Sequence, residues 1–525
     1  MRHSVRRAAA LVAAPALATL ALVATPTSAS AAPDPAPTSA AAGWIAGQVP
    51  AAGVFPGSFG PDYGLSIDVA LALDAVDADA ATVTKVRDAI AADVNGYIAY
   101  SYNDGSMDHT GETGGATAKA LLLAQRTGGN PVDFGGVNLV QRLESLIDTN
   151  GRVISTFDGA PDPSYDNTYI QTLALDGLDG TGSSAHGKLL DYLLDQQCTG
   201  GFFRGDIDQA QQQCGADEPD TDSTAQAVVA LLDETDPAAV TARTQAVQWL
   251  LSTQQADGSF GGGPSTEAPN ANSTGLAANA LRLAGQPAAA EKAAVWLREH
   301  QVVAGSCFAS AAADSGAVTY DDAAYAEAAT GAMDADLVAQ SVRATAQALP
   351  GLLSAPAGTG TNVLFTSEYV RAGTKPLVGV TGAAPGEALC ATAGAQKVVT
   401  HADGNGEAQL RVTLQAKTAI TTVAVSAASG VVDTVKIRAL GAARLKVVAP
   451  AKVRSGKAVR VVVRGLAPAE SVKVAVRGKS KAGQATKGGV FVAVLKVAGK
   501  PGKAKVAVRG EFANRVGAKT VKVVR

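Results

Sequence analysis

The stretch Asp220-Thr221-Asp222-Ser223-Thr224-Ala225 places two carboxylates two residues apart at the head of an apolar run. A buried carboxyl group stays protonated and donates that proton as a general acid. A carboxylate at a helix start instead caps free backbone N–H groups. The same slot elsewhere holds Asp166-Asn167-Thr168 and Asn272-Ser273-Thr274. A recurring Asx-Ser/Thr pattern before a helix reads as capping, and that reading extends to Asp220 and Asp222. Further acids precede helix-like runs at Asp104, Asp108, Glu112, Asp158, Asp162 and Asp321. Tyr63, Tyr165 and Tyr320 stand at a similar offset. Paired carboxylates cleave glycosidic bonds when they face one groove. If these residues share one mouth, Tyr63, Tyr165, Asp166, Asp220, Asp222, Tyr320 and Asp321 would form it. That mouth would hold a sugar or a cationic ligand, or would be a solvated rim.

The elements that position these residues follow from a repeat. Residues 249–285 begin with Trp249-Leu250, pass through Gln254, Gln255, Asp257, Gly258, Ser259 and Phe260, and end in an apolar run over 273–284. Weaker copies lie on either side, about 50 residues apart. Their second runs cover 66–73, 117–123, 168–178, 223–232 and 323–332. Each unit reads as helix, glycine-rich loop, helix, with Gly ending the first helix and Ser, Thr, Asp or Asn opening the second. Six such hairpins over 44–352 suit a closed (α/α)6 toroid, with the Ala-rich second helices in a crowded inner ring. An open solenoid would carry polar capping repeats at its ends, and none stands out.

This pattern resembles the prenyltransferase and squalene oxidase repeat of the α/α toroid, the fold of terpenoid cyclases and protein prenyltransferase β subunits. Gln255, Gly258 and Phe260, with Gln197, Gly201 and Phe202, carry the resemblance. It also implies a role for Asp222. The stretch 220–225 resembles the Asp-x-Asp-Asp-Thr-Ala motif of squalene–hopene cyclases, whose middle aspartate protonates an alkene. Ser223 stands where that motif has its last aspartate, and the chain is only 5% aromatic, whereas those cyclases line their cavity with rings. Asp321-Asp322 opens no Asp-Asp-x-x-Asp motif, because Tyr325 takes the final position. His109, His186, His300 and His401 are far apart and none has a Cys at ligand spacing, so neither a catalytic metal nor a cofactor is expected.

The rest of the chain adds four expectations. Residues 1–31 read as a secretory signal: Arg2, Arg6 and Arg7, an apolar run, then Ala29-Ser30-Ala31. Residues 32–43 read as a flexible Ala/Pro/Ser/Thr spacer. No later apolar run is long enough to span a membrane. Four cysteines in an exported chain favour disulfides. Cys198 and Cys214 flank a polar insertion, and Cys307–Cys390 would tie the last hairpin to the next domain; the sequential pairing is preferred among three.

After about residue 360 the period changes from helical to two. Val378, Val380, Gly382, Ala384, Pro385 and Glu387 recur as Val461, Val463, Gly465, Ala467, Pro468 and Glu470. This predicts tandem all-β sandwiches over 362–442 and 443–525 that resemble bacterial Ig-like modules. From Gly441 onward the chain has 21 Lys and Arg against two acids, or +19; the whole chain is −3, so residues 1–440 carry −22. Lys473, Arg477, Lys479, Lys481, Lys503, Lys505 and Arg509 alternate with apolar residues and should face solvent. Such asymmetry points to an anionic partner. Nucleic acid is disfavoured, because the second module has almost no aromatic residue for stacking.

Together these features describe a secreted or noncovalently wall-bound actinobacterial protein. Its toroid would be a scaffold with a ligand-binding mouth, and its basic module would bind anionic envelope polymer without catalysis. The alternatives are a terpenoid-cyclase-like enzyme with Asp222 as acid, and a polysaccharide-active toroid enzyme.

Overall fold

A computed structural model describes residues 32–162, 166–207, 213–215, 218–305 and 307–525. The expected signal, residues 1–31, lies outside them. Six helices form an inner ring: Tyr63–Ala75, Gly114–Arg126, Thr168–Leu178, Thr221–Ala230, Ala271–Leu283 and Ala335–Ala348. Each packs on the next, and the last packs back on the first, so the ring is closed. Alanines such as Ala70, Ala118, Ala174, Ala225, Ala278 and Ala344 are fully buried there. Their small side chains allow the close helix approach that a six-membered ring needs. Outside them lie Pro35–Gln48, Ala80–Ala92, Leu139–Ser145, His186–Asp195, Pro237–Thr253 and Pro287–Glu299, each against an inner helix.

One hydrogen-bond pattern recurs between units. The Gln254 amide donates to Gly258 O (3.0 Å) and across to Ala289 O in the next outer helix (2.9 Å). Gln197 does the same to Gly201 O (2.9 Å) and Ala242 O (2.7 Å). Gln301 reaches Gly316 O (3.1 Å) and Pro37 O (2.8 Å), which joins the sixth unit to the first. The glycine of each pattern touches the same neighbouring helix. Gly258 has φ +97, and a Cβ there would lie 2.3 Å from Lys292 O; at Gly316 it would lie 2.2 Å from Ala40 O. Two residues later a backbone N–H donates to an inner-helix hydroxyl: Phe203 to Thr224 (2.9 Å), Phe260 to Thr274 (3.0 Å) and Val318 to Thr345 (2.9 Å).

This pattern corrects the repeat alignment. Gln254, not Gln255, is the counterpart of Gln197, and Phe203, not Phe202, is that of Phe260. The sixth inner helix is Ala335–Ala348 rather than 323–332. In that unit the glutamine and its glycine, Gln301 and Gly316, are separated by an insertion that holds Cys307. Asp321 does cap a helix, but only the short Asp322–Ala328. Residues 35–43 are not a spacer. Asp34 caps and Pro35 opens the first outer helix, and Pro37, Thr38, Ala41 and Ala42 are buried. A proline at the first helical position starts a helix instead of breaking one.

The β region consists of two consecutive units of two sheets each. Residues 362–440 form a five-stranded and a three-stranded sheet, and residues 443–524 a six-stranded and a three-stranded one. In each, buried residues from both sheets make one core. The 83-residue offset is visible in the bonding: Ala384 N donates to Glu387 (3.1 Å) as Ala467 N does to Glu470 (2.7 Å). Strand Ala388–Ala393 is repeated as Ser471–Val476, and Gln396–His401 as Lys479–Gln484.

The toroid and the first β unit are bolted together. Cys307 is bonded to Cys390 (Cα–Cα 6.0 Å). Buried Arg298 donates to Pro356 O (2.9 Å) and Pro385 O (3.2 Å) and pairs with the Asp34 carboxylate. Tyr325 Oη is 3.0 Å from His401 Nε2. Burial, with His300 nearby, holds His401 down at about 4, so it is the neutral acceptor of that hydrogen bond. Cys198 and Cys214 are bonded within the toroid (Cα–Cα 5.1 Å).

Replacing Gln254 by Met removes two hydrogen bonds of about 0.5–1.5 kcal/mol each. The urea midpoint of the variant should fall by an amount equivalent to about 1–3 kcal/mol with an unchanged slope. An unaltered midpoint would show that the amide bridge is incidental.

Candidate functional site

The inner helices begin at one end of the ring and finish at the other, and the two ends differ. In the third, fourth and fifth inner helices the residue two places after the cap is partly buried. Asp220 caps its helix by accepting from Ser223 N (2.6 Å), Asn270 by accepting from Ser273 N (2.9 Å), and Asn167 by accepting from Ile170 N (2.9 Å). Asn270, not Asn272, is therefore the cap of the fifth unit, and Asn167, not Asp166, that of the third. Two positions on stand Asp222, Asn272 and Tyr169. Asp222 Oδ1 and Asn272 Oδ1 are buried without a hydrogen-bond partner among the described residues.

Asp222 is a strongly perturbed acid of this end. Burial pushes it up to about 6, against a lowering hydrogen bond from Ser273, and the Asp220 charge adds to the rise. A helix N-terminus favours a carboxylate, so burial outweighs that field here. Tyr169, deeply buried, is raised by burial and then by the charges of Asp68 and Asp222, while Gln226 hydrogen-bonds to it. Tyr320 is raised by burial, then by Asp222 and Asp321.

The other expected mouth residues are committed to structural partners. The Tyr63 hydroxyl donates to Asp93, and burial with that bond pushes Tyr63 up to about 12. Asp166 pairs with Arg152, which opposes the raising effect of its burial. Asp321 accepts from Ala324 N (2.9 Å). Tyr165 lies outside the described residues. Asp108, Glu112 and Asp162 lie on strands, and Asp104 and Asp158 in turns, of a four-stranded sheet: Ala99–Asn103, Asp108–Glu112, Ser155–Phe157 and Ala160–Asp162. His109 is held between Asp158 (2.7 Å) and Asp104 (3.2 Å) and stacks between Tyr102 and Phe157, which joins the two hairpins. Both carboxylates raise its pKa, Asp158 most.

The open space lies at the opposite end. A cavity of about 600 Å³ runs from the middle of the ring to the C-termini of the inner helices. Its floor holds the Asp68–Lys119 ion pair (2.7 Å), Tyr169 and Gln226, and its rim holds the Arg126–Asp176 pair (2.6 Å). Tyr63, Asp166, Asp220, Asp222, Tyr320 and Asp321 do not line it. Sequence reasoning puts the ligand surface at the capped helix starts, where Asx residues are conspicuous. Asp68, Lys119 and Gln226 of the floor are mid-helix positions with no local signal, each six residues past its cap; Tyr169, two past its cap, reaches the cavity from the other end. Among the described residues no group of three or more His, Cys, Asp or Glu is arranged to hold a metal. No helix among them is long and apolar enough to cross a membrane.

A third surface is the six-stranded sheet of the last β unit. Register sets Lys473 opposite Arg509 and Lys503 opposite Lys522. Ala475, Ala507 and Ala518 align across the same sheet, and with Arg444, Lys473, Lys505 and Arg509 around them they form a shallow groove. Among the described residues only Arg515 of this unit has a carboxylate partner, the buried Glu470 at 2.6 Å. Lys479 and Lys481 lie on the fully exposed edge strand, and Arg477 donates to Lys500 O (2.7 Å).

The Asp222 environment makes a pH prediction. Its folded-state pKa lies above that of an unfolded aspartate, so the folded protein binds the extra proton between about pH 4 and 6. Stability attributable to Asp222 is therefore complete at low pH and falls as pH rises through about 6. An Asp222→Asn variant lacks this loss. The difference in unfolding free energy, variant minus wild type, should grow by roughly 1–3 kcal/mol between pH 4 and 7. A difference that does not change with pH would place Asp222 in contact with solvent.

Residues 117–311 match the family model of the prenyltransferase alpha-alpha toroid domain. No curated protein matches the chain. Among solved structures it is similar to the type II terpene cyclase MstE from Scytonema, with 16% identity and a TM-score of 0.42, covering 61% of this chain and 97% of that one. It is also similar to ent-copalyl diphosphate synthase from Streptomyces platensis, with 17% identity and a TM-score of 0.35 over 55% and 50% of the two chains. An unsaturated glucuronyl hydrolase specific for heparin gives 10% identity and a TM-score of 0.41 over 61% and 95%. The part of the closed ring over residues 117–311 thus matches the prenyltransferase alpha-alpha toroid domain, and the ring has the fold of paired helices that this domain implies.

Proposed function

We propose that this is an exported, noncatalytic binding protein of the cell envelope, held to anionic polymer by its last β unit. That unit and the one before it are Ig-like modules in this reading. The observation that carries it is the register of like charges on the six-stranded sheet. Lys473 faces Arg509, and Lys503 faces Lys522, with no acid between them. Like charges directly opposite one another destabilise a sheet. A solubilising surface would intersperse both signs; a polyanion lying in the alanine-floored groove would offset the repulsion. The other 440 residues carry a net −22. Of the acids expected at the ring mouth, Asp166, Asp220 and Asp321 are engaged in an ion pair and caps, which supports binding over catalysis at those positions.

A second reading is favoured by Asp222 alone, since burial keeps it protonated up to about pH 6, as an alkene-protonating acid requires. Against it stand its polar surroundings, the hydrogen bond from Ser273 and the charge of Asp220. A cation formed there would meet few of the aromatic faces that stabilise one.

The test uses the full chain on immobilised long-chain polyphosphate and on cell-wall preparations across a salt series. Wild type should bind at low ionic strength and elute at high, because charge contacts are screened. Lys473→Glu/Lys505→Glu/Arg509→Glu should lower affinity at least tenfold and make the logarithmic salt dependence shallower, as fewer counterions are released. Arg460→Glu/Lys496→Glu, on the other sheet, should change much less. Equal losses in both variants, or salt-independent retention, would refute a polymer site on this face.

A further inference from the structure

The ring cavity is polar in a directed way. Asp74, Asp176 and Asp179 stand on its wall where the first and third inner helices end. Arg126 pairs with Asp176 at 2.6 Å. Burial nevertheless raises both Asp74 and Asp176, and neighbouring acids add to it: Asp77 for the first, Asp179 and Asp233 for the second. This wall carries more negative charge than its one arginine offsets.

The fifth inner helix presents the reverse. Arg282 lines the same cavity, half-buried, with Nη2 donating to Asn279 Oδ1 at 2.7 Å. Its Nε is buried without a partner among the described residues, and it makes no ion pair there. Burial holds its guanidinium below the usual value. Gln347, from the sixth inner helix, also lines the cavity and has a buried, unpartnered Oε1. A buried donor and a buried acceptor left open beside one cavity are uncommon in folded proteins. Leu122, Leu173, Leu276 and Leu283 supply apolar lining, beside the Asp68–Lys119 pair and Gln226 of the floor and Asp233 and Glu234 just past the end of the fourth inner helix.

We propose that the ring cavity binds a small zwitterion of dipeptide size, its carboxylate on Arg282 and its ammonium among Asp74, Asp176 and Asp179. Guanidinium and carboxylate match as planar two-point partners. The leucines accept apolar side chains, and about 600 Å³ lies within the range of pockets that enclose small organic molecules. This site is independent of the basic sheet.

The test is calorimetric titration of the full chain with leucyl-leucine, its N-acetyl derivative and its C-terminal amide. The parent should bind, and each blocked form should bind at least tenfold more weakly. Arg282→Gln should weaken the parent at least tenfold and leave the amide unchanged, because the amide has no carboxylate to lose. Arg282→Lys keeps the charge and should retain most of the preference for the parent over the amide, which separates loss of charge from loss of fold. Absence of binding by the parent at millimolar concentration, equal affinity of the three compounds, or an Arg282→Gln variant that still prefers the parent over the amide would each overturn the proposal.

Discussion

The ring rests on the side-chain amide of a glutamine at the end of an outer helix. One N–H₂ group ties down its own loop and reaches a carbonyl of the next outer helix. Gln197, Gln254 and Gln301 each do this, and Gln301 does it across 264 residues to Pro37. A helical array without such links is free to grow as an open superhelix. Linking the last unit to the first converts it into a ring of fixed size. The neighbouring glycines belong to the same constraint. Gly258 and Gly316 let the loop backbone lie against the helix that the glutamine has captured, and a Cβ at either would meet a backbone oxygen. Once the outer helices are indexed in this way, the alanine faces inside have one arrangement that closes.

That constraint explains which parts of the architecture are legible from residues alone. Glutamine, glycine and a following hydrophobic residue recur at fixed short spacing in the fourth and fifth units, and those units are easy to find. In the sixth, the glutamine and glycine are separated by the segment that holds Cys307, so the spacing fails and points to an inner helix a dozen residues too early. The register error at Gln255 and Phe202 has a similar origin: Gln254-Gln255 and Phe202-Phe203 are doublets, and only the geometry says which member is buried. The first outer helix is hidden in the sequence for a different reason. Its Ala/Pro-rich start has the composition of a linker, and what makes it a helix is tertiary, the burial of Ala41 and Ala42 and the capture of Pro37 by Gln301. The β duplication is legible because each copy keeps the same local bonds, down to a glutamate accepting from the N–H three residues earlier.

The site is less legible than the fold. Caps announce themselves in sequence, because Asx and Ser/Thr residues gather at helix starts, and that attracts attention to one end of the ring. The cavity is lined instead by residues such as Gln226, Asn279 and Arg282, which in sequence read as the solvated face of a helix. Only ring closure turns that face inward. The same closure puts Asp222 in a buried place, where it is neither the cap nor a surface acid. The cap is its neighbour Asp220, two positions earlier, so one short motif supplies a structural carboxylate and a perturbed one.

Charge is segregated in this chain in a way that its connections make consequential. The acidic ring is fixed to the first β unit by Cys307–Cys390, Arg298 and the Tyr325–His401 bond. Residues 1–440 carry −22 and the last β unit +19, so opposite charges lie at the two ends of one chain. The His401 ring supports the joint as a neutral acceptor. Its pKa of about 4 means that ordinary acidification leaves the bond intact. The first β unit, placed between the two charged bodies, is thus more than a spacer. A rigid joint on one side and a lone buried Arg515–Glu470 pair organising the other leave the lysine rows unneutralised by any carboxylate of their own sheet. A basic face whose lysines have no carboxylate partner among the described residues is what the proposed binding of an anionic polymer requires.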